Sequence, residues 1–159
     1  MNAPSASSSI DWVDVASVPA FEGATGRLGM CGLARAVTLL PQDRVDVLAV
    51  LVETFATFEE LAPRTQVVRY PIEDMGVPAD PATFAELVDG IAADVRAGRT
   101  VMVSCLAGYG RTGMTVACVL VAAGLRAREA VDLVRAARPG TIESPEQLAF
   151  VLDWASLRD

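Results

Sequence analysis

The stretch from Val101 to Gly124 constrains the fold more than any other part of the chain. Val101-Met102-Val103 is a short apolar run, the mark of a strand buried on both faces. Ser104-Cys105-Leu106-Ala107-Gly108-Tyr109-Gly110 follows, with two glycines that permit a tight turn and close backbone approach. Arg111 to Ala123 is then strongly apolar and reads as a central helix closed by Gly124. A buried strand that turns directly into a buried helix needs layers on both sides of a sheet.

Strands and helices alternate through most of the 159 residues. Val45 to Val52 ends in a continuous apolar run, and Gln66 to Tyr70 reads as another short strand. Thr54 to Leu61 looks helical and stops before Pro63. Asp80 is placed to cap a helix with Pro81 at its first position, and Phe84, Leu87, Val88, Ile91 and Val95 recur at helical spacing until Gly98. A further helix runs from Ala127 to Arg138 and stops at Pro139-Gly140, its Arg126, Arg128, Arg135 and Arg138 forming a solvated face. Ser144-Pro145-Glu146-Gln147 opens the last helix with a capping box. Gly23 to Arg35 carries four glycines and reads as loops. Residues 1–10 read as a flexible tail and 11–159 as the folded unit. The pattern predicts an α/β fold, a single domain with a mostly parallel central sheet flanked by helices on both faces. Ligands of such sheets bind beyond the carboxyl ends of the strands, where Cys105 lies.

What the chain lacks narrows its chemistry. It has no histidine, and all 13 basic residues are arginine. Ser-His-Asp and Cys-His catalysis are excluded, as are histidine-containing zinc sites and lysine-dependent nucleotide loops. Three cysteines without histidine make a poor metal site, so no metal or cofactor is expected. The net charge of -7 argues against nucleic acid and against docking on an anionic membrane. No apolar run is long enough to span a bilayer. The N-terminal residues lack the basic region and apolar core of a signal peptide, so a cytoplasmic location with reduced thiols is expected.

The turn itself carries the chemistry. Backbone N–H groups of the loop can converge on an anion, and the helix start adds unpaired N–H groups and a positive dipole end. Arg111 supplies a planar fork for two phosphate oxygens. The same features stabilise a thiolate at Cys105, so the loop that holds phosphate also activates a nucleophile. The backbone of Leu106, Ala107, Gly108, Tyr109 and Gly110 is the expected cradle. Cleaving a phosphate ester also needs a proton for the leaving oxygen. The segment Pro71 to Phe84 offers Glu73, Asp74 and Asp80, the last of which the helix cap explains. Asp74 precedes Met75-Gly76-Val77-Pro78, a loop of the kind that closes over substrate, with Glu73 as the second candidate.

Ser104-Cys105-Leu106-Ala107-Gly108-Tyr109-Gly110-Arg111-Thr112-Gly113 resembles the signature of protein tyrosine and dual-specificity phosphatases. The resemblance extends from about Arg27 to Trp154 and is most like the kinase-associated dual-specificity subgroup. It implies that Cys105 attacks phosphorus, Arg111 binds the phosphoryl oxygens, and Thr112 helps the thiolate leave. It implies Asp74 as general acid and a phosphorylated protein or peptide as substrate, with no metal. The family's usual histidine before the cysteine is Ser104 here. In relatives, glutamines near the last helix position water; Glu143 and Gln147 hold those places, and Gln147 also serves the capping box. Two alternatives stay open: a phosphate-binding module with weak catalysis, and a phosphoinositide phosphatase. Cys118 reads as core, and whether Cys31 pairs with Cys105 on oxidation is left open by the sequence.

Overall fold

The computed structural model describes residues 10–40 and 44–158, so the N-terminal segment up to residue 9, part of the expected tail, lies outside the described residues. Among the described residues, β1 (Asp11–Trp12), β2 (Arg27–Gly32), β3 (Val47–Val50), β4 (Gln66–Arg69) and β5 (Thr100–Cys105) form one sheet. Their spatial order is β1-β2-β5-β3-β4. The short β1 runs antiparallel to β2, and every other pairing is parallel. Among the described residues six α-helices accompany the sheet: α1 (Leu33–Leu39), α2 (Phe58–Leu61), α3 (Pro81–Arg96), α4 (Gly110–Ala122), α5 (Ala127–Ala137) and α6 (Pro145–Leu157). The fold is the expected single α/β domain with helices on both faces. None of the described helices is long and apolar enough to cross a membrane.

Alternation along each strand divides the core in two. Leu28, Met30, Val47, Ala49, Val101, Val103 and Cys105 face α3 to α6. Cys31, Leu48, Val50 and Met102 face α1 and α2, where Ala36 and Phe58 cover them. Both faces are apolar because both are covered, which is why the strands read as unbroken apolar runs. Helix α4 follows β5 directly and lies against α3, α5 and α6. All its residues from Gly110 to Leu120 are buried. A helix apolar all round can be stable only in such a position.

Helix α3 starts as its sequence dictates. The Asp80 carboxylate accepts from the Ala82 N–H at 3.0 Å, and Pro81 sets the first turn. Its apolar face sends Phe84 into an aromatic cluster. The Phe84 ring lies 5.2 Å from that of Trp154 and 5.6 Å from that of Phe150, both of α6, and 5.7 Å from Tyr70. These edge-on contacts clamp α6 to α3 and add to the area buried.

Three local expectations need correction. Gly23 to Arg35 is not all loop, since it holds β2 and the start of α1. Gly23 does turn the chain, at φ 75°, but Gly26, Gly29 and Gly32 serve close approach: a Cβ on Gly29 would come within 2.8 Å of the Trp12 ring that crosses it. The helix expected from Thr54 is only Phe58–Leu61. The Thr54 hydroxyl accepts from the Ala56 N–H, a local turn that competes with helix. The strand expected from Val45 to Val52 shortens to Val47–Val50, although the Leu51 N–H still donates to the Ser104 carbonyl.

The register also separates two thiols. Cys31 pairs with Ser104, and Gly32 with Cys105, so Cys31 and Cys105 point to opposite faces of the sheet. Burial pushes the Cys31 thiol up to about 11 from its ordinary value, while hydrogen bonding to Ser104 and the charges of Arg138 and Arg35 pull the other way. Its Sγ lies 3.2 Å from the Met102 sulfur. A disulfide between Cys31 and Cys105 would have to pass through the sheet.

Phe84→Ala should lower the unfolding free energy by about 3–5 kcal/mol in urea titrations, because nothing else can fill the space between Tyr70, Phe150 and Trp154. Peptide mapping after mild peroxide treatment should find no Cys31–Cys105 cross-link. A cross-linked peptide would show that β2 and β5 do not hold this register in solution.

Candidate active site

Cys105 is the last residue of β5, 3% exposed. The chain then leaves the sheet for four residues and re-enters regular structure at Gly110, the first residue of α4. Gly108 turns it, at φ 79°. Here glycine is required twice over, since a Cβ would also come within 2.5 Å of the Cys31 backbone. The Tyr109 carbonyl accepts from the Gly113 N–H at 3.0 Å and from the Ile142 N–H at 3.1 Å, tying the loop's end to the segment before α6. Strand end, loop and helix start thus place Cys105 beneath the N-terminus of a buried helix, where backbone dipoles favour negative charge.

Arg111 is one residue into α4 and 6% exposed. Its Nη1 donates to the Ile72 carbonyl at 2.9 Å, and its Nη2 lies 3.4 Å from the Asp74 Oδ1. A buried guanidinium needs such partners. Asp74, by contrast, is 79% exposed at its side chain. Its Oδ1 also accepts from the Met75 N–H at 3.0 Å. An ion pair with one partner this exposed contributes little stability, about 0–1 kcal/mol. An incoming anion can therefore replace Asp74 on Arg111 at small cost.

The loop carrying Asp74 is anchored from α6. The Ser144 hydroxyl donates to the Met75 carbonyl at 2.9 Å, and the Gln147 Nε2 donates to the Gly76 carbonyl at 3.2 Å. Met75 itself has φ 60°, and Ile142, just before Glu143, has φ 61°. Such values are uncommon for methionine and rare for a β-branched residue, and they persist only where surrounding bonds enforce them. Here they sit next to the two carboxylates that reach the cavity.

That cavity holds about 170 Å³ and is lined by Asp74, Met75, Cys105, Leu106, Ala107, Arg111 and Glu143. A second hollow of about 440 Å³ shares its Asp74 and Met75 wall and continues past Glu73, Ser144 and Glu146. The structure therefore brings together Cys105, Arg111, Asp74, Glu143 and the start of the loop. Tyr109 lies half-buried behind it, and Gly108 and Gly110 are buried. Glu73 lines only the outer hollow, whereas Asp74 lines both it and the cavity that holds Cys105. Thr112 is fully buried with no hydrogen-bond partner for its hydroxyl among the described residues. Gln147 is also fully buried, and its side chain is committed: Oε1 accepts from the Glu143 and Ser144 N–H groups while Nε2 holds Gly76. Ser104 is buried on the far side of β5 with Cys31, its hydroxyl 3.3 Å from the Cys105 carbonyl. Among the described residues no group of three or more His, Cys, Asp or Glu is placed to hold a metal ion.

One expectation about this region fails. Arg138 is not on a solvated helix face with Arg126, Arg128 and Arg135. It is 1% exposed and reaches under the loop, donating from Nε to the Gly108 carbonyl at 3.0 Å and from Nη2 to the Ala107 carbonyl at 3.1 Å. Nothing in the local pattern marked it, because α5 ends at Ala137 and Arg138 has left the helical stripe. Ile72 and Ser144 were likewise missed as supports for Arg111 and for the Asp74 loop.

Comparison with known proteins identifies the family. The sequence model of the family described as protein-tyrosine phosphatase matches residues 56–156. Protein tyrosine phosphatase domain-containing protein 1 of Danio rerio is 37% identical over 84 residues, 52% of this chain and 12% of that protein. The chain thus corresponds to a small part of that relative's length. The solved structure of kinase associated phosphatase, with a serine substituted for its catalytic site cysteine, superposes with a TM-score of 0.81 at 18% identity, covering 94% of this chain and 95% of that one. That likeness is one of fold. Tk-PTP in its active form is 30% identical with a TM-score of 0.69, covering 85% of this chain and 92% of that one. By the span of the family match and by this identity over nearly all of Tk-PTP, the chain belongs to the protein-tyrosine phosphatase family.

Proposed function

We propose that the protein hydrolyses phosphomonoesters of proteins or peptides, on tyrosine or on both tyrosine and serine/threonine, through a cysteinyl-phosphate on Cys105. The observation that carries this reading is the convergence of Cys105, Arg111 and Asp74 on one cavity at the start of α4. A phosphoryl group entering there meets the loop N–H groups and takes the Arg111 fork from Asp74. The Cys105 thiolate attacks phosphorus in line with the ester oxygen, the S–P bond forms, and the P–O bond breaks. Asp74, released from Arg111 and exposed to solvent, takes up a proton from water and delivers it to the departing oxygen. Water then attacks phosphorus, its proton passes to the Asp74 carboxylate, and the S–P bond breaks to give inorganic phosphate and the thiolate. The Thr112 hydroxyl, buried with no hydrogen-bond partner among the described residues, can donate to that thiolate. Glu143, which reaches the cavity, is better placed to orient the water than Gln147, whose amide already bonds Gly76, Glu143 and Ser144 and which does not line it.

The walls favour a peptide over a polyanionic lipid headgroup. Among the described residues, Arg111 is the one basic residue lining the catalytic cavity, while Glu73, Asp74, Glu143 and Glu146 line it and the adjoining hollow. Additional phosphates would meet carboxylates there. A second reading, phosphate binding with little turnover, is favoured by the Glu143 carboxylate beside the cradle and by the absence of a histidine before Cys105.

Steady-state assays with a generic aryl phosphate separate the two. Hydrolysis should vanish in Cys105→Ser, and equal rates for Cys105→Ser and wild type would remove the enzyme reading. Asp74→Asn should lower kcat about 10²- to 10⁴-fold, most for esters with poor leaving groups. Unchanged turnover would take Asp74 out of its role.

A further inference from the structure

Arg138 makes more contacts with the phosphate loop than its place after α5 requires. Besides the carbonyls of Ala107 and Gly108, its Nη1 pairs with the Asp11 Oδ2 of β1 at 2.7 Å. Its guanidinium also lies over the Tyr109 ring, 4.2 Å from the centroid. A trans peptide points its C=O and N–H in opposite directions. Drawing the carbonyls of Ala107 and Gly108 to the underside therefore turns the N–H groups of Gly108 and Tyr109 the other way. A fixed positive charge beneath the loop further favours an anion above it. Arg138 can hold this posture only while its own buried charge is matched. Asp11, 27% exposed at its side chain, supplies that match from 127 positions away in the chain.

We propose that Arg138 is the positioning residue of the phosphate loop, and that Asp11 on the N-terminal strand holds it in place. The oxyanion affinity of the loop then depends on a carboxylate outside residues 56–156, the segment that the family match covers. This inference rests on the reading of the loop as a phosphate site. A lysine at 138 would keep the charge but lose the planar fork that spans two carbonyls and a carboxylate.

The test measures inorganic phosphate binding calorimetrically to the full chain carrying Cys105→Ser, alone and with Arg138→Lys, Asp11→Asn or both, with the melting temperature of each. Arg138→Lys should weaken phosphate about tenfold, the size of a lost bond to a charged group. Asp11→Asn should weaken it less, with its melting temperature little changed. The double variant should bind no worse than Arg138→Lys alone, because Asp11 acts only through Arg138. Unchanged affinity in a folded Arg138→Lys protein overturns the proposal, and so do losses that multiply in the double variant. If Arg138→Lys does not fold, Asp11→Asn decides: weaker phosphate binding supports the role of the pair, and unchanged binding overturns it. Absence of phosphate binding before either substitution is a different failure, since it removes the phosphate site itself.

Discussion

Arg111 brings a full positive charge to a position that is 6% exposed, at the seam between sheet and helix. Charge in such a place is expensive unless it is paired, and the pairing shapes the site. One partner, the Ile72 carbonyl, ties α4 to the segment leaving β4. The other, Asp74, is a mostly exposed side chain that an anion can displace. The guanidinium therefore has one fixed and one exchangeable contact. In the proposed reaction, that asymmetry couples arrival of an anion to release of the Asp74 carboxylate.

The supports of this arrangement come from distant parts of the chain. Helix α6 fixes the Asp74 loop through Ser144 and Gln147, and its own N-terminus is closed by the reciprocal Ser144–Gln147 cap. Gln147 thus completes a helix cap and anchors a loop with one amide. The aromatic cluster of Phe84, Phe150 and Trp154 keeps α6 against α3, so packing energy reaches the loop through α6. Beneath the loop, the buried Arg138 guanidinium binds the carbonyls of Ala107 and Gly108.

What was legible in the sequence was what short-range rules decide. The Asp80 cap, Pro81 and the Phe84 to Val95 spacing gave α3, and Ser144 to Gln147 gave the start of α6. The turn from Cys105 to Arg111 was readable because its glycines, its helix and its arginine lie within a few residues. Other features depended on contacts between segments far apart. The glycines around β2 looked like loop residues because the Trp12 ring that crosses Gly29 comes from another strand. Arg138 looked solvated because its carbonyl partners lie 30 and 31 positions earlier. The separation of Cys31 from Cys105 follows from a one-residue parity in strand register, which no local pattern fixes.

The central claim is that Cys105 forms a covalent phosphoenzyme in the cavity closed by Asp74. The most direct measurement is mass spectrometry of the protein quenched in acid during a single turnover with an aryl phosphate, using Asp74→Asn to slow the later hydrolysis. The account predicts a phosphoryl increment on the peptide containing Cys105, and none in Cys105→Ser. Turnover by the wild type without that increment in either the wild type or Asp74→Asn would contradict it.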